Sequence, residues 1–275
     1  LQNQFWKHLA NSQKEFSTYL IKNEMSKTIL ITGATSGIGK ACAEKFAAAK
    51  FRLIISGRRA DRLNKIKSDL ESKFNVDVLD LCFDVQDKNA VFDAIKKLPE
   101  DWKKIDVLIN NAGLSLGRDN FADCDINDWE TMLQTNVNGL LYVSKAVLDL
   151  LIPNESVVVN IGSIAGKEVY ENGNVYCASK FAVDAITKSM RIDLLKKGIR
   201  VTAIHPGAVE TEFSIVRFKG DTTKASQVYN GFKPLTSEDV ADTIFYAANL
   251  PSHVCINELT IMPKQQASAS YFHKD

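Results

Sequence analysis

From Ser26 onward, short apolar runs of strand length alternate with longer segments of helical period, and this alternation limits the folds open to the chain. The strand-like runs are TILIT, RLIIS, VDVLDLCFDV, DVLINNAG, SVVVNIGS, RVTAIHPG and ELTIMP. Helical patterns lie between them, from Ile38 to Ala49, from Arg59 to Lys73, over DKNAVFDAIKKL, after Asn127, around Tyr176 and after Thr236. A parallel neighbour needs a helix-length crossover, and right-handed crossovers cover both faces of a sheet. The expected fold is therefore α/β, a single domain over residues 25–275 built on a doubly wound parallel sheet of about seven strands with helices on both faces. Asn127 with Glu130, and Thr236 with Asp239, have the spacing of reciprocal helix caps. Residues 211–235 are polar and irregular just beyond a strand end, the place of a lid over substrate. Residues 1–24 precede the pattern and read as an extension without a catalytic role.

Composition narrows the classes of partner. Lys plus Arg (34) nearly balances Asp plus Glu (33), so no bulk field draws the chain to nucleic acid or to an anionic membrane. No apolar run approaches the ~20 residues of a membrane span, and the first residues lack the order of a secretory signal, so a cytoplasmic location is expected. The five cysteines are widely spread, with no C-x-x-C and no clustered histidine. They read as reduced thiols, and no metal site is expected.

The first strand passes into the first helix through Thr32-Gly33-Ala34-Thr35-Ser36-Gly37-Ile38-Gly39. Glycines spaced G-x-x-x-G-x-G let the backbone approach a pyrophosphate, which the free N–H groups and dipole of the helix N-terminus then stabilise. The second strand ends in Ser56-Gly57-Arg58-Arg59, without the acidic residue that would bind a ribose 2′-hydroxyl. Two arginines at this place suit a 2′-phosphate by charge and fork geometry, so NADP is expected in preference to NAD. Asp84 and Val85 follow the third strand, where adenine would lie. Asn111, Ala112 and Gly113 follow the fourth, where they would wall the cofactor cleft.

Ser163 follows the apolar run from Val157, so its hydroxyl should emerge at the C-terminal edge of a buried strand, where open parallel sheets bind ligands. Tyr176 and Lys180 are four residues apart in a helical pattern and share one face. A phenol titrates near pH ~10, so acid–base work near neutrality asks for a shift of roughly three units, or about 4 kcal/mol. A neighbouring ammonium can supply much of it. The competing reading is a plain surface pair, which the glycine turn upstream disfavours.

Taken together, these residues give the chain a resemblance to the short-chain dehydrogenase/reductases, through TGATSGIG, NNAG, Ser163, Tyr176-x-x-x-Lys180 and Pro206-Gly207 in order over residues 26 to about 263. The resemblance implies a Rossmann-like domain in which Ser163 holds the carbonyl oxygen and Tyr176 moves its proton. It implies that Lys180 binds the nicotinamide ribose and lowers the tyrosine pKa. It also implies an asparagine completing a proton relay through water, by position Asn136 in preference to Asn138. The runs NNAGLSLG, NIGSIAG, GNVYCASKFAV, PGAVETEFSIVRFKGD and NELTIMPKQQAS are similar to the NADP-dependent 3-hydroxy acid dehydrogenases, which act on serine, allo-threonine and short 3-hydroxy acids. By that comparison Pro206, Gly207, Val209 and Thr211 would surround the nicotinamide, and the protein would be a homotetramer whose tail, Gln265 to Asp275, could reach a neighbouring site. His205 is not part of the family pattern and reads as a strand-end residue. A carboxylate substrate wants a cation, and Arg217 is preferred over Lys219 and Lys167 for its geometry. Two rival readings are a reductase of acyl-carrier-protein thioesters, steroids or xenobiotic ketones, and a nucleotide-sensing protein without turnover.

Overall fold

Val, Ile and Leu fill the strand segments almost without polar interruption, the composition of strands buried on both faces. In the computed structural model, which describes residues 26–275, they form seven strands: β1 (Thr28–Ile31), β2 (Arg52–Gly57), β3 (Val78–Cys82), β4 (Val107–Asn110), β5 (Val157–Ile161), β6 (Arg200–Pro206) and β7 (Glu258–Ile261). Every pairing is parallel, in the order β3-β2-β1-β4-β5-β6-β7. The order reverses between β1 and β4, which opens a crevice at their C-terminal ends. The expected extension at residues 1–24 lies outside the described residues.

The strand period of two sorts the core into layers. Ile29, Ile31, Leu53, Ile55, Val157 and Val159 face α1 (Gly37–Ala48), α2 (Ala60–Phe74) and α9 (Ser237–Ala248). Leu30, Ile54, Leu108, Val158 and Val201 face α3 (Lys88–Lys96) and the helix ending at Val147. That latter helix is not continuous: α4 (Ile126–Leu133) passes through a π-helical stretch, Gln134–Gly139, into α5 (Leu140–Val147). Wide turns of this kind are common at functional sites. The twenty-residue α6 (Asn174–Asp193) packs beside it.

The cap of α4 is Asp125, whose carboxylate accepts from the Asn127 N–H at 2.9 Å, so the helix begins one residue before Asn127. The reciprocal cap at Thr236 and Asp239 is present as read. Residues 211–235 are less irregular than they read: they hold two short helices, α7 (Glu212–Arg217) and α8 (Thr222–Gln227). The C-terminal tail folds back onto its own chain, with Gln266 Oε1 accepting from the Ala208 N–H at 2.8 Å and Phe272 packed on Phe232 at 4.9 Å.

Candidate active site

The glycine turn adopts backbone that a side chain would resist. Gly33 and Gly37 have φ of +67° and +53°, and a Cβ on Gly33 would stand 3.0 Å from the Ala112 Cα. Ser36 begins α1 without a side-chain cap, and the first turn has no acidic residue, so its N–H groups are open to an anion. Thr35, Ser36, Gly37 and Ile38 all line a cleft of about 320 Å³. Gly39 does not. A Cβ there would come within 2.4 Å of the Gly33 carbonyl oxygen and 2.5 Å of Asn111 Nδ2, so Gly39 is a packing glycine that lets α1 sit against the turn. Asn111 joins the same contact, donating to the carbonyls of Thr32 at 2.9 Å and Gly33 at 3.2 Å, while Ala112 and Gly113 wall the cleft.

Arg58 and Arg59 stand at one end of the cleft with Asp84, Val85 and Phe83. Arg58 pairs with Asp84 at 3.2 Å. Arg59 reaches Thr35 Oγ1 at 2.8 Å, Ser36 Oγ at 3.0 Å and Glu212 at 3.1 Å, and Arg62 meets the same carboxylate at 2.8 Å. Arg62 escaped the sequence reading, although its place three residues after Arg59 on one helix face was a signal. These ion pairs are largely exposed and weak, so a dianionic phosphate can compete for the guanidinium groups. Open helix N–H groups, glycine backbone and paired arginines are the donor set that a dinucleotide with a 2′-phosphate requires.

At the other end, Ser163 leaves β5 and turns its Oγ toward the Ala165 N–H at 3.1 Å. Tyr176 and Lys180 project from α6, both buried. Lys180 Nζ donates to the Ile161 carbonyl at 2.9 Å, which fixes the ammonium beside the end of β5. Burial pushes the Tyr176 phenol up to about 12, helped by Tyr170, while Arg217 and a hydrogen bond with Ser163 pull it down. The same burial pushes Lys180 down to about 8. Pro206, Gly207, Val209 and Thr211 complete the wall beside them.

Two anticipated residues stand behind this surface. Asn136 spends its amide on the Leu114 backbone, with Nδ2 to O and N–H to Oδ1 each at 2.8 Å, and on Ser179 Oγ at 3.0 Å. It braces the turn carrying Gly113 from inside the π-helical stretch, whereas Asn138 bonds Gln134 instead. Arg217 lies 5.1 Å from the ring centres of both Tyr176 and Phe213 and donates to the Tyr170 hydroxyl at 3.2 Å. Lys219 is held by Asp128, and Lys167 by Asp184 and Glu258, so Arg217 is the cation of those three that accompanies the tyrosine.

A doubly wound sheet with an anion-receiving glycine turn at its switch point, and Ser, Tyr and Lys converging beside it, defines a nucleotide-dependent oxidoreductase scaffold. The short chain dehydrogenase model matches residues 27–221, and the chain belongs to that family. It is 44% identical over 250 residues to the NADP-dependent 3-hydroxy acid dehydrogenase of Schizosaccharomyces pombe, covering 90% of this chain and 96% of that one. It is also 44% identical over 249 residues to sulfoacetaldehyde reductase 2 of Chromohalobacter salexigens, covering 90% and 98%. Among solved structures it superposes with a TM-score of 0.83 on the closed form of serine dehydrogenase complexed with NADP+, at 40% identity over 90% of this chain and all of that one. Among the described residues, no helix is long and apolar enough to cross a membrane.

Proposed function

We propose that the protein transfers hydride reversibly between NADP and the C3 carbon of small 3-hydroxy acids of the serine, L-allo-threonine, 3-hydroxypropionate and 3-hydroxyisobutyrate class. The observation that carries this reading is Arg217 standing over the Tyr176 ring, just behind the wall of a cleft that Tyr176, Arg58 and Arg59 line. One cation group suits a 2′-phosphate, and the other suits a substrate anion beside the acid–base residue. Gly33, Thr35, Ser36, Gly37 and Ile38 would receive the pyrophosphate, and Lys180 the nicotinamide ribose. When bound, oxidised NADP supplies the hydride acceptor and a positive charge beside the phenol.

The chain's own residues then handle the proton. In oxidation Tyr176 Oη takes the hydroxyl proton while Ser163 Oγ holds the oxygen as its charge changes. In reduction the phenol donates, and burial already keeps it protonated in the free protein. Lys180 favours the phenolate when charged. Asn136 serves by bracing the Gly113 turn next to Lys180 and by a water relay to that ammonium. Residues 211–235 act as the lid, with α7 carrying Phe213 and Arg217 to the tyrosine. A homotetramer is consistent with Leu133, Leu141, Phe181 and Ile192, which leave apolar surface exposed on α4, α5 and α6. A cytoplasmic location and reduced cysteines complete the reading.

The test is absorbance at the reduced-nicotinamide band with NADP or NAD against L-serine, L-allo-threonine, 3-hydroxypropionate and 3-hydroxyisobutyrate, with sulfoacetaldehyde and bulky ketones run with NADPH. Turnover of the acids with NADP, abolished in Tyr176→Phe, is expected. Reduction of sulfoacetaldehyde or bulky ketones with none of the acids turned over would overturn the substrate class.

A further inference from the structure

His205 belongs neither to the cleft wall nor to the acid–base group, yet it is completely buried directly behind Ser163. It is the penultimate residue of β6, and its ring packs against Gly162, where a Cβ would come within 2.4 Å of Nδ1. Glycine at 162 therefore leaves room for the imidazole. Nδ1 stands 3.3 Å from the Ser163 carbonyl oxygen. Nε2 has no hydrogen-bond partner and lies 3.6 Å from Asp184 Oδ1.

The charges around the ring decide where its proton sits. Asp184 is on α6, eight residues after Tyr176 and on the same face. Its two oxygens already accept from Lys167 and Lys188, each at 2.8 Å, and Lys167 also meets Glu258 of β7 at 2.7 Å. Asp184, His205 and Glu258 have ligating atoms within 4.8 Å of one another, but the Lys167 ammonium holds the position between the carboxylates that a divalent cation would need. A carboxylate satisfied twice makes little demand for a third donor, and the Nε2 distance is beyond a hydrogen bond. The Ser163 carbonyl accepts from the Gly166 N–H at 2.9 Å and keeps a second lone pair, which lies within reach of Nδ1. Burial and the Lys167 charge both keep the ring neutral, so it carries one proton only.

We propose that His205 is a positioning residue for Ser163, holding its carbonyl through Nδ1–H and thereby fixing the direction in which the serine hydroxyl leaves β5. Lys167, bonded to Asp184 and following Ser163 by four residues, anchors the other end of the same turn. This inference rests on Ser163 acting as the oxygen-holding group.

Asparagine and glutamine separate the roles of the two ring nitrogens. The amide of His205→Asn stands near the place of Nδ1, and that of His205→Gln near the place of Nε2. Loss of one buried hydrogen bond, amplified by misplacement of a reacting group, is expected to lower kcat about tenfold in His205→Gln and His205→Leu. The KM for NADP should stay within about twofold, because the phosphate sites are remote. His205→Asn should retain kcat within about threefold of the parent. Equal losses in the Asn and Gln variants, or full activity in both, would overturn the assignment, and this comparison stands even if His205→Leu fails to fold. Ser163→Ala runs beside them: if it retained activity, the reading of the serine itself would fall and the inference with it. If only Ser163→Ala loses activity, the inference falls alone.

Discussion

Lys180 is a lysine that folding drives toward neutrality, and this has a measurable consequence in the free protein. Its folded pKa of about 8 lies below the ordinary lysine value, so between those two values the unfolded chain binds more protons than the folded one. Stability must therefore rise with pH across that interval. With an unfolded value near 10.4, the linkage term grows by roughly 2.5 kcal/mol between pH 7 and pH 10. Lys180→Met removes the titration while keeping an apolar stem of similar length. It also strands the Ile161 carbonyl, an offset of about 1 kcal/mol that does not vary with pH. The assay is urea unfolding of parent and variant at several pH values from 7 to 10, without cofactor. Taking the difference cancels other titrating groups. The parent should gain on the variant steadily as pH rises. A flat difference, or one moving the other way, would show that Lys180 is not held against its charge and would remove the basis for its lowered pKa.

Other perturbations separate the parts of the cleft. Gly39→Ala drives a methyl into the Gly33 carbonyl and should cost about 1–3 kcal/mol together with NADP affinity, and a variant with unchanged melting and binding would refute the close approach. Arg58→Ala combined with Arg59→Ala should raise the KM for NADP by about ten- to hundredfold and leave that for NAD nearly constant, and equal losses for both would dismiss the 2′-phosphate role. Arg217→Ala should raise the KM for a 3-hydroxy acid with NADP affinity unaltered, and an unchanged KM would remove the arginine from substrate binding. Thr236→Ala breaks the reciprocal cap of α9 and should lower stability by about 1 kcal/mol in urea unfolding, with kcat untouched.

What could be read in advance was the part of the site carried by local pattern. The Gly33 turn announces itself because a tight turn and an open helix start demand small residues at fixed offsets. The Tyr176–Lys180 pair follows from the helical period, and Ser163 from the end of an uninterrupted β-branched run. The cap at Thr236 was equally local. The cap of α4 misled because Asp125 and Asn127 are both competent caps two residues apart, and the backbone selects between them by a single hydrogen bond. Contacts made across the chain left no such trace. Glu212 meeting Arg59 and Arg62 spans about 150 residues, and nothing in EFSIVR marks it as a partner of the arginines at the start of α2. The π-helical turn at QTNVNG had no compositional signature, and Asn136 within it was singled out only through the family resemblance.

The acid–base pair shows why this support has to come from a distance. One act of burial moves its two members in opposite directions, the phenol toward its neutral acid and the ammonium toward its neutral base. Left to desolvation alone, Tyr176 and Lys180 would lose the charges that oxidation of an alcohol uses. The groups that oppose this are polar and fixed from elsewhere: Arg217 from α7, the Ser163 hydroxyl from β5 and the Ile161 carbonyl on the ammonium. Each acts only at its observed position, so the residues that hold those positions share in the chemistry without touching it. Asn136 holds Leu114, Tyr170 holds Arg217, and His205 lies against the Ser163 carbonyl. A sequence displays the reacting groups because their types are rare and their spacing strict, whereas their supports can be supplied by any residue that reaches.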